Sequence, residues 1–155
     1  MQLADLIEGY SVGKLLSSGE ASIVHEATRQ SDGISVLLKV HHRAGMGREW
    51  ARQEFDAIRA CRHPRAVKAI ELLDGEIPVL VLERVPGRTL RSWIREDRLS
   101  VEQVLNVAID VADVLEAVHA ARLVHRDVTP ANVLVDLETR AAYLMPFLPV
   151  LACLA

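Results

Sequence analysis

The sequence predicts an α+β fold: a five-stranded antiparallel sheet with one helix inserted, followed by the first elements of a mainly helical part. Three observations carry this expectation. Apolar runs between Tyr10 and about Glu83 are interrupted by two Asp-Gly pairs, Asp32-Gly33 and Asp74-Gly75, which favour tight hairpin turns. Residues 48–63, REWARQEFDAIRACRH, set Ala51, Phe55, Ile58 and Cys61 at helical spacing. A second and longer helical pattern begins beyond Ser100.

Taken in order, the first turn separates IVHEATRQ from VLLKV and the second separates AVKAIELL from IPVLVLE, so antiparallel pairing is the economical reading. The helix inserted among these strands ends at His63-Pro64, because proline disfavours helix in the residue before it. Pro86-Gly87 marks a boundary, and LRSWIRED reads as a short helix with Leu90, Trp93 and Ile94 on its apolar side. Ser100 with Gln103 forms a capping-box pattern, after which Val104, Leu105, Ala108, Ile109, Ala112, Leu115 and His119 recur at steps of three and four. The predicted domains are therefore residues 10–84, residues 85–140, and a divergent apolar tail over 141–155.

Composition narrows the function classes. Half of the 155 residues are hydrophobic (50%) and 25% are charged, which fits a folded chain. A formal net charge of −3 with no basic tail argues against nucleic acid as a partner. Cys61 and Cys153 lie far apart and in no metal-ligand spacing, so neither a disulfide framework nor a zinc site is expected. The first residues carry acids where a secretory signal carries a basic segment, and the cytoplasm is the expected location. The last fifteen residues, AAYLMPFLPVLACLA, hold no charge, but two prolines and short length argue against a membrane span.

The strongest chemical signal is LVHRDVTPANVLVD, residues 123–136, directly after the long helix. Its His-Arg-Asp followed by four residues and Asn resembles the protein-kinase catalytic loop. That resemblance implies phosphoryl transfer, which needs a carboxylate to orient and deprotonate an acceptor hydroxyl, here Asp127, and a neutral oxygen ligand for a magnesium ion, here Asn132. Upstream, Lys39 lies within the apolar run VLLKV, where an ammonium needs a partner, and Glu54, which shares a helix face with Ala51 and Ile58, is the residue that the kinase pattern would supply. The bland alternative is a lysine that reaches solvent beside a surface glutamate. Together these residues make the chain resemble the serine/threonine protein kinase domain, bacterial ones most of all, from about Tyr10 to Val135.

The resemblance implies ATP and Mg2+ as cofactors and a protein substrate, with ATP-dependent phosphorylation of serine or threonine as the activity. It implies Asp127 as base, Asn132 as magnesium ligand, Lys39 as the clamp on the phosphates and Glu54 as its orienter. The adenine pocket would use Leu16, Gly19, Val24, Leu82 and Leu134, with the backbone of Glu83 and Val85 at the hinge. Several positions depart from the family. Residues 15–24, LLSSGEASIV, keep only Gly19 and Val24 of the glycine-rich loop, with Ser17 and Ser22 in the other glycine positions, and read alone as a polar hairpin turn. Leu37 stands where alanine is usual, and Thr129 where lysine is common.

Further on, Pro146-Phe147-Leu148 falls where the Asp-Phe-Gly motif is expected, so the main magnesium ligand is missing, and no activation loop or Ala-Pro-Glu segment follows. A truncated or frame-shifted gene is one expectation for that tail, and a trimmed pseudokinase is another. Two further readings therefore stand beside an active kinase. One is an inactive pseudokinase or fragment that binds nucleotide or a partner protein. The other is a small-molecule phosphotransferase of the aminoglycoside-kinase type, against which Arg126 argues because glycine is usual there.

Overall fold

The computed structural model of the chain describes residues 7–18, 22–41 and 47–146. Gly19 and the tail from Phe147 onward, including Leu148 and Cys153, lie outside the described residues. Two compact units divide the chain: Met1–Phe55 with Ala69–Arg84, and Asp56–Lys68 with Val85–Ala155.

The first unit holds the expected five strands: β1 (Tyr10–Ser18), β2 (Ser22–Arg29), β3 (Ser35–His41), β4 (Ala69–Asp74) and β5 (Pro78–Glu83). They lie in the order β1-β2-β3-β5-β4, and every neighbouring pair is antiparallel. Strand alternation decides what β3 does with its seven residues. Val36, Leu38 and Val40 enter a core cluster with Ile7, Tyr10, Ala27, Val79 and Val81. Leu37, Lys39 and His41 take the other face and are buried as well, at 2%, 8% and 4% exposure, so the two polar side chains there need partners of their own.

Both Asp-Gly turns act through the aspartate as well as the glycine. At the first, Gly33 takes φ +73°, and Asp32 accepts from the Ile34 amide at 3.1 Å and from the Arg29 guanidinium. At the second, the Asp74 carboxylate meets Arg48 and Arg52 at 3.1 and 3.0 Å. Those arginines stand on α1 (Gly47–Ala60), the expected helix, which ends three residues short of His63.

The second unit contains the last turn of α1, then β6 (Arg88–Thr89), α2 (Leu90–Glu96), α3 (Val101–Ala120), β7 (Val133–Val135) and β8 (Ala142–Leu144). The three short strands form a second sheet in the order β6-β7-β8. Helix α3 starts with the expected capping box: Ser100 Oγ accepts from the Gln103 amide at 3.2 Å, and the Gln103 side chain accepts from the Ser100 amide at 2.8 Å.

Two expectations about helix faces are corrected. On α3 the residues that enter the core are Val107, Val114 and Val118, whereas Val104, Leu105 and Ile109 are about half exposed. The helix is apolar on more than one side, so a second stripe satisfied the spacing and the valines won the core. On α2, Trp93 is buried and Leu90 half-buried, but Ile94 is 51% exposed. Strand β8 was also not expected, because its residues lie inside what reads as an uncharged tail.

Close backbone packing sets the turn into β6. Gly87 has φ +115°, and a Cβ there would lie 2.2 Å from the Val135 carbonyl oxygen. Arg65 joins Asp110 of α3 at 2.6 Å, and Asp110 also accepts from the Ala142 amide at 2.8 Å, which ties α3 to β8. Among the described residues no helix is long and apolar enough to cross a membrane.

Candidate functional site

In the first unit the site is built around Lys39. Its Nζ donates to Glu54 Oε1 at 2.6 Å, with the glutamate fully buried. The expected ion pair between strand and helix is therefore present, and the alternative of a lysine reaching solvent is excluded for this arrangement. The other carboxylate oxygen, Oε2, faces His41 Nε2 at 2.9 Å. Register places Val24 opposite Lys39 and Leu80 on its other side, while Leu37 lies opposite Leu82. Paired residues of antiparallel strands share a face, so these side chains belong to the same face of the sheet.

In the second unit the residues His125 to Asn132 form a self-bonded loop. Asn132 Nδ2 donates to Asp127 Oδ2 at 2.7 Å and to the Asp127 carbonyl at 2.9 Å. The two side chains that the sequence singles out are thus held together, with Asn132 Oδ1 not engaged in that contact. His125 is buried and lies 2.9 Å by Nε2 from the Met145 carbonyl, while Nδ1 accepts from the Asp127 amide at 3.3 Å. Those two contacts together require the tautomer protonated on Nε2. Between them Arg126 adopts φ +63°, a left-handed conformation uncommon for a residue with a side chain. The Pro130 carbonyl accepts from the Arg91 amide at 2.8 Å, so the start of α2 supports the loop. Burial of Val133 and Val135 anchors its far end.

The expected adenine-contacting residues have varied settings. Leu16 on β1 is 45% exposed, Val24 on β2 is half-buried, and Leu82 on β5 is fully buried with Glu83 half-buried after it. Val85 is buried and Leu134 half-buried, both in the second unit. Gly19 lies outside the described residues. Leu37, at 2% exposure, is packed into its face of the sheet.

A magnesium ion fits these residues poorly. It takes near-octahedral oxygen ligands, commonly with one or two carboxylates beside phosphate. Among the described residues no group of three or more His, Cys, Asp or Glu side chains could hold a metal. Pro146, aligned with the family's magnesium-binding aspartate, has no side-chain donor, and Asn132 contributes a single amide oxygen.

Sequence reasoning missed two residues. His41 lies one position beyond VLLKV, and strand alternation alone would have set it on the face of Lys39. Asp136 closes the β7–β8 turn: its carboxylate accepts from the Glu138 amide at 2.9 Å and from the Thr139 hydroxyl at 2.8 Å. Those bonds, the amide first, hold it below the usual carboxylate range.

A buried ion pair between a lysine of a five-stranded sheet and a glutamate of the inserted helix, followed by a loop that joins Asp127 to Asn132, defines a kinase-type chain. The chain belongs to the protein kinase domain family, whose model matches residues 10–147. It is 46% identical over 88 residues to the serine/threonine-protein kinase PkaB of Streptomyces coelicolor, an alignment covering 56% of this chain and 21% of that protein. It is 31% identical over 153 residues to the serine/threonine-protein kinase PknB of Mycobacterium leprae, covering 92% of this chain and 24% of that protein. A probable serine/threonine-protein kinase of Corynebacterium efficiens is 33% identical over 142 residues, with 84% and 21% covered. The chain thus spans about a fifth to a quarter of the length of these relatives.

Proposed function

We propose that this chain is the nucleotide-binding part of a serine/threonine protein kinase domain, with residues 10–84 as its small lobe and ATP as its ligand. The observation that carries this reading is the buried contact of Lys39 with Glu54 at 2.6 Å. A fully buried carboxylate that fixes one ammonium has little value as a surface ion pair, but it presents a positive charge of fixed position for phosphate oxygens. Val24, Leu82 and the backbone of Glu83 serve the adenine from the same unit.

In the activity that the family performs, Asp127 accepts the proton of the acceptor hydroxyl, and Asn132 holds Asp127 in place and offers its Oδ1 as a ligand. The acceptor is a protein serine or threonine, as the names of the relatives imply. A magnesium ion would neutralise the transferring phosphate, but the residues present support it weakly, so no step is derived through it. Pro146 in place of a carboxylate favours a second reading, a pseudokinase-like module that binds nucleotide without transferring phosphate.

Calorimetric titration separates the readings from a non-binding chain. ATP should bind more tightly than adenosine, and Lys39→Met should abolish the difference. Equal affinity of the unaltered chain for ATP and adenosine would overturn the clamp.

A further inference from the structure

We infer that His41 is a positioning residue for the phosphate clamp, fixing the second oxygen of Glu54 so that the first stays on Lys39. This rests on the reading of Lys39 as that clamp. The placement follows from β3 itself: residues 39 and 41 are two apart on one strand, so both side chains stand on the face that meets Glu54. His41 is 4% exposed and Glu54 fully buried, which leaves water little access to either group.

A carboxylate anchored by one oxygen alone keeps the freedom to turn about its last bond. Lys39 anchors Oε1 at 2.6 Å, and the polar group facing Oε2 is His41 Nε2 at 2.9 Å. No hydrogen bond forms along that line, so the contact is one of proximity, and neither atom has a hydrogen-bond partner among the described residues. The inference places the ring proton on Nε2: a buried donor and a buried acceptor without hydrogen bonds each carry a desolvation penalty, which their mutual approach offsets. Without the imidazole, buried Oε2 would lose the polar group that faces it, and the carboxylate would gain by turning away from Lys39. A leucine of similar size would keep the packing and lose this restraint.

The test uses the full chain, two substitutions and two readouts. His41→Leu removes the nitrogen, whereas His41→Gln keeps an N–H donor at similar reach. The first readout is the rate at which acetic anhydride modifies Lys39, followed by peptide mass spectrometry. The second is the affinity for ATP relative to adenosine, which lacks the phosphates and so reports packing of the base alone. His41→Leu should speed modification of Lys39 and weaken ATP roughly threefold, below what a lost hydrogen bond to a charged group would cost because the contact is one of proximity, with adenosine unchanged. His41→Gln should restore both.

If Lys39→Met erases the preference for ATP but His41→Leu leaves both readouts at the unaltered values, the clamp stands and the role of His41 is refuted. If Lys39→Met has no effect on that preference, the clamp fails, and the modification rate alone decides His41: an unchanged rate refutes it. Should His41→Leu not fold, as judged by its thermal melt, His41→Asn replaces it. The shorter amide should behave as a loss beside His41→Gln, and equal behaviour of the two refutes the inference.

Discussion

A fully buried carboxylate persists only while charge or hydrogen-bond donors face it, so Glu54 is the residue whose loss the first unit should feel most. Glu54→Ala leaves the Lys39 ammonium buried without its counter-charge, and the expected cost is about 3–5 kcal/mol in denaturant unfolding. The double variant Lys39→Met with Glu54→Leu should recover most of that loss, because an apolar pair of similar volume avoids both desolvation terms. A double variant as unstable as Glu54→Ala would mean that packing, not charge, is what Glu54 supplies. Tyr10 offers a test at high pH. It is 5% exposed and donates to the Glu71 carboxylate, and burial, followed by that neighbour, pushes its hydroxyl up to about 12. Since the folded chain keeps this proton longer than the unfolded chain, the contribution is complete below the ordinary tyrosine value of about 10 and is lost as pH rises toward the folded value. Absorbance titration of a Tyr143→Phe chain, in which Tyr10 is the remaining tyrosine, should show tyrosinate appearing only near the raised value.

Short elements of the second unit are held by single residues, and two of these can be tested. Gly87→Ala would push a Cβ against the Val135 carbonyl, 2.2 Å away, at a backbone angle of +115° that side chains rarely adopt. The expected loss is about 2–3 kcal/mol, read from thermal melts, since both the β6–β7 pairing and the turn must shift. Asp136 has its pKa lowered by the Glu138 amide and the Thr139 hydroxyl, so its contribution is present above the ordinary carboxylate range and disappears as pH falls through the folded value. Asp136→Asn should therefore flatten the acid limb of the stability curve. Much at this scale was legible in the sequence, because Asp-Gly turns, a capping box and strand alternation are local signals. The buried stripe of α3 was not. Val107, Val114 and Val118 and the rival set Val104, Leu105 and Ile109 both satisfy helical spacing, and only packing against β8 and its neighbours chooses between them. Strand β8 was hidden for a related reason: AYL becomes a strand through pairing with Val133–Val135, which no local pattern announces. The polar contacts were more legible than the packing: Asp127 with Asn132 through the spacing of the family's loop, and Lys39 with Glu54 because an ammonium in an apolar strand needs a partner. His41 shared that reason but stood just outside the apolar run that drew attention to Lys39.

Over the whole molecule, the apolar surface of α3 and the missing carboxylate at position 146 set the expected behaviour in solution. Val104, Leu105 and Ile109 are exposed by 49%, 55% and 57% on one helix, enough apolar surface to promote self-association. Replacing them by Gln, Lys and Glu should raise the concentration at which light scattering appears while leaving the melting temperature nearly unchanged, because none of the three enters the core. Phosphate transfer is the more demanding property. It depends on positioning and on neutralising the charge of the transferring group, with little covalent work left for the protein. Lys39 supplies one fixed positive charge, but Pro146 supplies no ligand where the family has its main magnesium-binding carboxylate. Magnesium should therefore tighten ATP less than about threefold, whereas Lys39→Met should weaken it about tenfold or more, as expected when charged hydrogen bonds to phosphate are lost. A larger gain from magnesium than loss from Lys39→Met would show that metal ligands other than Asn132 hold the nucleotide. For the same reason radiolabel transfer from ATP to a generic protein acceptor should not exceed that of an Asp127→Asn control. Asp127 is held by Asn132 at 2.7 Å in a loop already formed, so a failure of transfer would trace to the phosphate side and not to the base. Transfer above the control would mean that the carboxylate replaced by Pro146 is dispensable in this chain.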